Sequence, residues 1–128
     1  MSYYFNTVTT FDFDEAITVV TAELGKEGFG VLSEIDLQGK IKEKLGEDIP
    51  RYKILGACNP VFAFKALQAE PHIGTMLPCN VIVREVDGGK TEISAINPVD
   101  SMQAVGNPDL QETAGLIQEK LKRVIAAL

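Results

Sequence analysis

Residues 56–80, GACNPVFAFKALQAEPHIGTMLPCN, hold most of the side chains in this chain that could do chemistry. Both cysteines, Cys58 and Cys79, lie in this segment together with Glu70 and the single histidine, His72. A thiolate is a nucleophile and a soft metal ligand, and an imidazole is a general base or a ligand. The segment is therefore a candidate for thiol chemistry or for ligand binding, and the alternative is that these residues pack around two tight turns.

Cys58 is the stronger candidate for a reactive thiol because Asn59 and Pro60 follow it directly. Asn-Pro is typical of the start of a helix, where Asn caps and Pro occupies the first turn. The free N–H groups of such a turn carry partial positive charge, which can lower the pKa of a nearby thiol. Cys58 is thus the candidate catalytic residue, although cysteine also serves as a small buried hydrophobe and that alternative stays open.

The remaining polar residues of the segment carry weaker signals. Cys79 precedes a strand and would alternate with Val81 and Val83 on one face, which favours packing. The two cysteines do not form a C-x-x-C pair, so only the fold could make Cys79 a resolving partner for Cys58. A single histidine in a turn is typical of the surface, and no spacing matches a zinc site, so we predict no metal.

Hydrophobic periodicity predicts an α+β fold in which strands outnumber helices. One helix carries an apolar stripe from Phe13 to Leu24, and the last helix carries one from Leu110 to Leu128. DGGK, at 87–90, is typical of a hairpin turn. Two further helices are predicted at 38–45 and 60–69, and strands at 3–10, 29–37, 51–57, 80–86 and 91–96. This order predicts one mixed or antiparallel sheet with the long helices packed on one face.

Length and charge limit the classes of partner. The 128 residues fit a single domain, 1–128, and the net charge of −6 argues against nucleic acid or an anionic membrane as a partner. There is no apolar run long enough to span a bilayer, and the first residues lack the pattern of a signal peptide. We therefore expect a cytoplasmic protein whose cysteines are free thiols. The sequence contains neither a phosphate-loop motif nor a serine-hydrolase motif, so it indicates no cofactor and no serine-hydrolase activity.

Three blocks of sequence resemble a known family. KEGFGVLSEIDLQGKIKEKLG, YKILGACNP and EPHIGTMLPCNVIVRE resemble the DUF302 family, small bacterial and archaeal proteins of unknown function, over about residues 10–97. The resemblance implies a TBP-like fold, β-α-β(4)-α in outline, and a homodimer. It carries over no catalytic residue and no cofactor, but its recurring Cys-Asn-Pro and Pro-Cys-Asn segments match 58–60 and 78–80 here and mark the site.

Three functional hypotheses follow from the sequence. The first is a homodimeric protein that binds a small molecule near Cys58, Asn59, Glu70, Cys79 and Asn80. The second is a thiol enzyme or redox sensor that uses Cys58 with Cys79 as its partner. The third is a structural homodimer without ligand chemistry. Under the second hypothesis Cys58 should react faster than Cys79, because only Cys58 precedes a helix.

Overall fold

The protein is described by a computed structural model that covers residues 2–128. Five strands alternate with helices along most of the chain. The strands are β1 (Tyr4–Thr9), β2 (Gly30–Asp36), β3 (Tyr52–Cys58), β4 (Cys79–Val86) and β5 (Lys90–Ile96). The helices are α1 (Phe13–Lys26), α2 (Leu37–Leu45), α3 (Pro60–Ala69), α4 (Pro98–Met102) and α5 (Pro108–Ala126), with a 3-10 turn at Pro71–Met76. The predicted elements are all present, and their ends agree within a few residues.

The five strands form one sheet in the order β1-β5-β4-β3-β2. Every neighbouring pair is antiparallel, so the sheet is antiparallel throughout, not mixed. The predicted hairpin at DGGK joins β4 to β5, where Gly88 and Gly89 supply the positive φ angles of the turn. This arrangement confirms the α+β class and leaves β1 and β2 as the two sheet edges.

The main core lies between one face of the sheet and the helices α1 and α5. Residues that alternate along the three central strands point towards these helices, as the two-residue period of a strand requires. The buried residues of the sheet are Leu55, Ala57, Cys79, Val81, Val83, Ile93 and Ala95, and those of the two helices include Ala16, Val20, Leu24, Ile117, Leu121 and Val124. Within residues 2–128, no helix packs in this way on the opposite face, which we call the open face.

A smaller core holds the connection between β3 and β4 in place. Its buried members are Ala66, Ile73, Met102, Leu110 and Ala114, which come from α3, the 3-10 turn, α4 and the start of α5. This cluster fixes the positions of the Cys-Asn-Pro and Pro-Cys-Asn segments at one end of the sheet. Among residues 2–128, none of the helices has the length and apolar character needed to cross a membrane.

The second Asn-Pro pair in the chain starts a helix that the sequence did not predict. Asn97 and Pro98 follow the last strand directly and open the short helix α4. The side-chain oxygen of Asn97 accepts a hydrogen bond from the backbone N–H of Val99 at 3.2 Å. An Asn cap followed by Pro in the first turn is sufficient to start this helix.

Candidate functional site

Cys58 and Cys79 lie on adjacent strands at the same end of the sheet. Ala57 is paired with Cys79 in the β3–β4 ladder, so Cys58 is one position beyond the direct partner. Both are free thiols; Cys58 is half-buried and Cys79 is buried. They line a small cavity of about 20 Å³ with Phe29, Ala57, Asn59, Phe62, Ala63, Ala66, Leu77, Pro78, Met102 and Ile117. A volume of this size holds about one water molecule, not an organic ligand.

Burial controls the chemistry of Cys79. It raises the pKa of the Cys79 thiol to about 11, with a smaller upward contribution from the nearby Cys58 thiol. Desolvation has this effect because a low-dielectric environment disfavours the charged thiolate. Cys79 is therefore protonated at neutral pH and is a poor nucleophile.

Asn59 occupies the predicted cap position of α3 but does not cap the helix with its side chain. Instead its side-chain amide donates a hydrogen bond to the backbone oxygen of Glu27 at 3.2 Å. This contact ties the start of α3 to the end of α1, where the Cβ position of Gly28 would lie 3.1 Å from the same amide nitrogen. Asn59 therefore serves the packing of the two helices, and its side chain is buried beside the cysteine cavity.

Glu70 lies apart from the cysteine pair. Its carboxylate accepts a hydrogen bond from the backbone N–H of His72 at 3.2 Å and so caps the 3-10 turn. It lines a separate cavity of about 240 Å³ with His72, Ile73, Thr75 and Val105. The side chain of His72 is 93% exposed, as expected for a histidine in a turn. The structure thus brings Cys58, Asn59 and Cys79 together and places Glu70 at a different surface.

A wide pocket lies on the open face of the sheet, and we call it the open-face pocket. Its volume is about 390 Å³, and it is lined by Tyr3, Tyr4, Tyr52, Asn80, Ile82, Arg84, Glu92, Ser94, Ala95 and Ile96. Ile82 and Ser94 are paired in the β4–β5 ladder and form its floor. Tyr52 flanks one end, opposite Arg84 in the β3–β4 ladder, and Tyr4 flanks the other end, opposite Ile96 in the β1–β5 ladder.

One wall of this pocket is formed by Arg84 and Glu92, and Asn6, which does not line the pocket, hydrogen-bonds to Glu92. Arg84 Nε donates to Glu92 Oε1, and Asn6 Nδ2 donates to Glu92 Oε2 at 2.8 Å. Partial burial raises the pKa of Glu92, but the hydrogen bonds from Asn6 and Arg84 and the charge of Arg84 outweigh it, so this pKa lies below its ordinary value. The carboxylate is therefore ionised at neutral pH and holds the arginine in one orientation.

Asn80 connects the open-face pocket to the cysteine segment. A cavity of about 250 Å³ shares Asn80 and Ile96 with the open-face pocket and continues along Pro78 and Cys79 to α4. Of the predicted site residues, Asn80 lines the open-face pocket, and Cys79 lies at the adjoining cavity but is only 6% exposed. The described residues 2–128 contain no group of three or more His, Cys, Asp or Glu side chains that could hold a metal ion.

Sequence reasoning missed Arg84, Glu92 and Tyr52. Arg84 and Glu92 each lie next to a buried apolar residue on a strand, and Tyr52 lies between two charged residues. Both patterns indicate a solvent-facing surface as readily as a site. The sequence did carry one signal for this wall. Arg84 and Glu92 stand opposite each other in the β4–β5 hairpin, and their opposite charges favour a cross-strand pair.

The fold and the pocket define an α+β protein with helices on one face of an antiparallel sheet and an open ligand-sized pocket on the other. The chain matches the domain of unknown function DUF302 over residues 5–128, and it belongs to this family. It is also similar to the crystal structure of an uncharacterized conserved DUF302 protein from Bacillus stearothermophilus, with 28% identity, a TM-score of 0.91 and 98% of each chain covered. The comparison with curated proteins finds no match.

The two thiols are expected to differ strongly in reactivity. In the native protein at pH 7, iodoacetamide should modify Cys58 first, because Cys58 is half-buried whereas Cys79 is buried and its pKa is about 11. A rise of the Cys79 pKa from its ordinary value of 9.0 to about 11 lowers the thiolate fraction at neutral pH by about a hundredfold. Peptide mass spectrometry over time measures both rates. Faster modification of Cys79 would contradict this assignment.

Proposed function

We propose that this DUF302 protein is a cytoplasmic, homodimeric domain that binds a small molecule in the open-face pocket. The observation that carries the proposal is a pocket of about 390 Å³ with a tyrosine at either end and polar groups on its floor and one wall. Known ligand sites are clefts of about 300–1,000 Å³ that are largely apolar and contain a few placed polar groups. This pocket has that size and that mixture.

The polar groups of the pocket are held in place before a ligand arrives. Glu92 orients Arg84, and Asn6 orients Glu92, so the guanidinium does not have to be ordered on binding. Preorganised side chains on strands give more defined geometry than side chains on loops. The cysteine cavity, by contrast, is about 20 Å³, too small for an organic molecule. The raised pKa of Cys79 adds a further reason to prefer binding over thiol chemistry.

A homodimer is consistent with the two uncovered sheet edges. Tyr3 directly precedes the edge strand β1, which carries Tyr4 and Val8. The side chains of all three residues are exposed. An open edge with apolar side chains can pair with a second chain. Sedimentation at micromolar concentration tests this part of the proposal, and a single 13.9 kDa species would contradict it.

Binding is tested by NMR with a library of small aromatic compounds and ¹⁵N-labelled protein. We expect shift changes at Tyr52, Arg84 and Ser94, which line the pocket, and few changes at Glu70 or His72. Ile82→Trp should fill the pocket and remove these shifts, because Ile82 lies on its floor.

The matched control is Ile35→Trp. Ile35 is paired with Ile54, in the same cross-strand row of the open face as Ile82, but it lies on the edge strand β2 and does not line the pocket. The control should bind like the wild type. Shift changes confined to other surfaces, or equal binding by Ile82→Trp and the wild type, would refute the proposed site.

A further inference from the structure

We infer that the open-face pocket selects an uncharged, planar aromatic ligand that carries a carboxamide or a similar group with both a hydrogen-bond donor and an acceptor. This inference rests on the proposed function, because it names the ligand class of the same pocket. It follows from the shape of the pocket, from the compensation of its charges and from the hydrogen-bonding groups that the protein leaves unused.

The strand register gives the pocket the shape of a slot for a flat molecule. The paired residues Ile82 and Ser94 form the floor, and the paired residues Arg84 and Glu92 form one wall. Asn80 and Ile96 form the opposite side of the slot, two residues beyond the floor on β4 and β5. At 3.3 Å per residue, they lie roughly 13 Å from the wall of Arg84 and Glu92. Such a slot accommodates one or two fused rings.

Aromatic side chains flank two opposite corners of the slot. Tyr52 lies on β3 beside Arg84, and Tyr4 lies on β1 beside Ile96. These strands are separated by β4 and β5, which places the two tyrosines roughly 14 Å apart across the sheet at about 4.8 Å per strand. Because they also lie four residues apart along the strands, the diagonal between them is roughly 20 Å. Tyrosine offers an apolar ring with a polar end, which favours edge or stacking contacts with a planar ring.

The charges in the pocket compensate each other. The ionised side chains that line it are Arg84 and Glu92, and they form an ion pair. A ligand carboxylate would gain little from an arginine that is already neutralised and would be repelled by Glu92. A ligand ammonium would be repelled by Arg84 in the same way. The net charge of −6 on the chain further disfavours an anion.

Three groups in the pocket have hydrogen-bonding capacity to spare. Arg84 uses Nε for Glu92, and its terminal nitrogens have no partner among residues 2–128. The side chains of Asn80 and Ser94 also line the pocket without a hydrogen bond to the described part of the chain. A carboxamide oxygen accepts from the guanidinium, and its NH₂ group donates to the Asn80 or Ser94 oxygen. A carboxylate can likewise accept from the Asn80 amide or the Ser94 hydroxyl, so it is the charge of Glu92, not a missing hydrogen bond, that disfavours it.

The test uses three probes of nearly equal shape: 2-naphthamide, 2-naphthoate and 2-naphthylmethylammonium. NMR titrations at pH 7 and moderate salt should give a dissociation constant for 2-naphthamide on the order of 1 mM, as the efficiency of small ligands suggests. The two charged probes should bind at least about fivefold more weakly than 2-naphthamide. A fivefold change in affinity corresponds to roughly the interaction energy of two unit charges at an exposed site. Tighter binding of 2-naphthoate than of 2-naphthamide would overturn the inference but leave the proposed pocket intact.

Removing the compensating charge should change the preference. In Glu92→Gln the charge of Arg84 is no longer neutralised, so the affinity for 2-naphthoate relative to that for 2-naphthamide should rise by about fivefold or more. The control is Glu34→Gln, which changes the net charge equally but lies at the edge strand β2, paired with Lys53 at 2.7 Å. It should leave the order of the three probes unchanged.

A second variant keeps the test decisive if Glu92→Gln is poorly folded. Arg84→Met removes the exposed guanidinium and leaves Glu92 with Asn6 as its hydrogen-bond partner. It should weaken 2-naphthamide and strengthen 2-naphthylmethylammonium, because the remaining charge in the pocket is then negative. An unchanged order of affinities in both variants would overturn the inference. Absence of binding by all three probes to the wild type would overturn the proposed function together with it.

Discussion

Replacing Asn97 with alanine should lower the free energy of unfolding by about 3 kcal/mol, because three hydrogen bonds to this buried side chain are lost together. Asn97 is 2% exposed. Its amide nitrogen donates to the backbone oxygen of Ser2 at 3.2 Å, and its oxygen accepts from Val99 N at 3.2 Å and from Gln118 Nε2 at 3.1 Å. The side chain thus joins the N-terminal segment, α4 and α5.

The comparison variant for this prediction is Asn107→Ala. Asn107 also precedes a proline and caps a helix, accepting from Asp109 N at 3.0 Å, and its amide nitrogen donates to the backbone oxygen of Ala69 at 3.0 Å, but it is only half-buried. Loss of this cap together with the second hydrogen bond should cost about 1–2 kcal/mol. Urea unfolding followed by circular dichroism measures both variants, since the chain has no tryptophan for fluorescence. If Asn97→Ala costs no more than Asn107→Ala, the side chain does not stabilise the junction as described.

The elements of this fold were predictable because each is defined by a local pattern. The apolar stripe from Leu110 onwards has the helical period, and β4 has the strand period. The order of strands in the sheet was not predictable in the same way. The first strand pairs with the last, β1 with β5, and no local pattern encodes a pairing between segments this distant in the chain.

The three Asn-Pro pairs show the limit of motif reasoning. All three open helices, and an Asn-Pro pair is typical of a helix start at which the asparagine side chain caps the first turn. Asn97 and Asn107 do accept the capping hydrogen bond, whereas Asn59 turns to Glu27. The difference lies in what packs beside each asparagine, and this depends on tertiary contacts that the dipeptide does not specify.

The candidate site was predictable only at its border. The Pro-Cys-Asn segment marks Asn80, which lines the open-face pocket. The wall made by Arg84 and Glu92 was missed, because charged residues at every second position of a strand usually just face solvent. Their pairing is specified by the register of the β4–β5 hairpin, and the depth of the pocket depends on the flanking tyrosines of β1 and β3.

Gly56 holds the Pro-Cys-Asn segment against the sheet, and its replacement with alanine should destabilise the protein by about 1–3 kcal/mol, as overpacking does. Gly56 is opposite Asn80 in the β3–β4 ladder. A Cβ atom at this position would lie 2.8 Å from Pro78 Cγ and closer still to Ser33 Oγ. The serine hydroxyl can rotate away, but the proline ring is fixed to the backbone and must shift as a whole.

This shift should also reach the pocket, because Asn80 follows Pro78 by two residues. Gly56→Ala should therefore weaken the binding of 2-naphthamide as well as lower the free energy of unfolding. The matched control is Gly115→Ala in α5, where the new Cβ would meet no heavy atom within 4 Å. There the better helix propensity of alanine should raise the free energy of unfolding by up to about 1 kcal/mol and leave binding unchanged. Urea unfolding and the NMR titration distinguish the two variants, and a Gly56→Ala protein as stable as the wild type would show that Pro78 does not pack against this glycine.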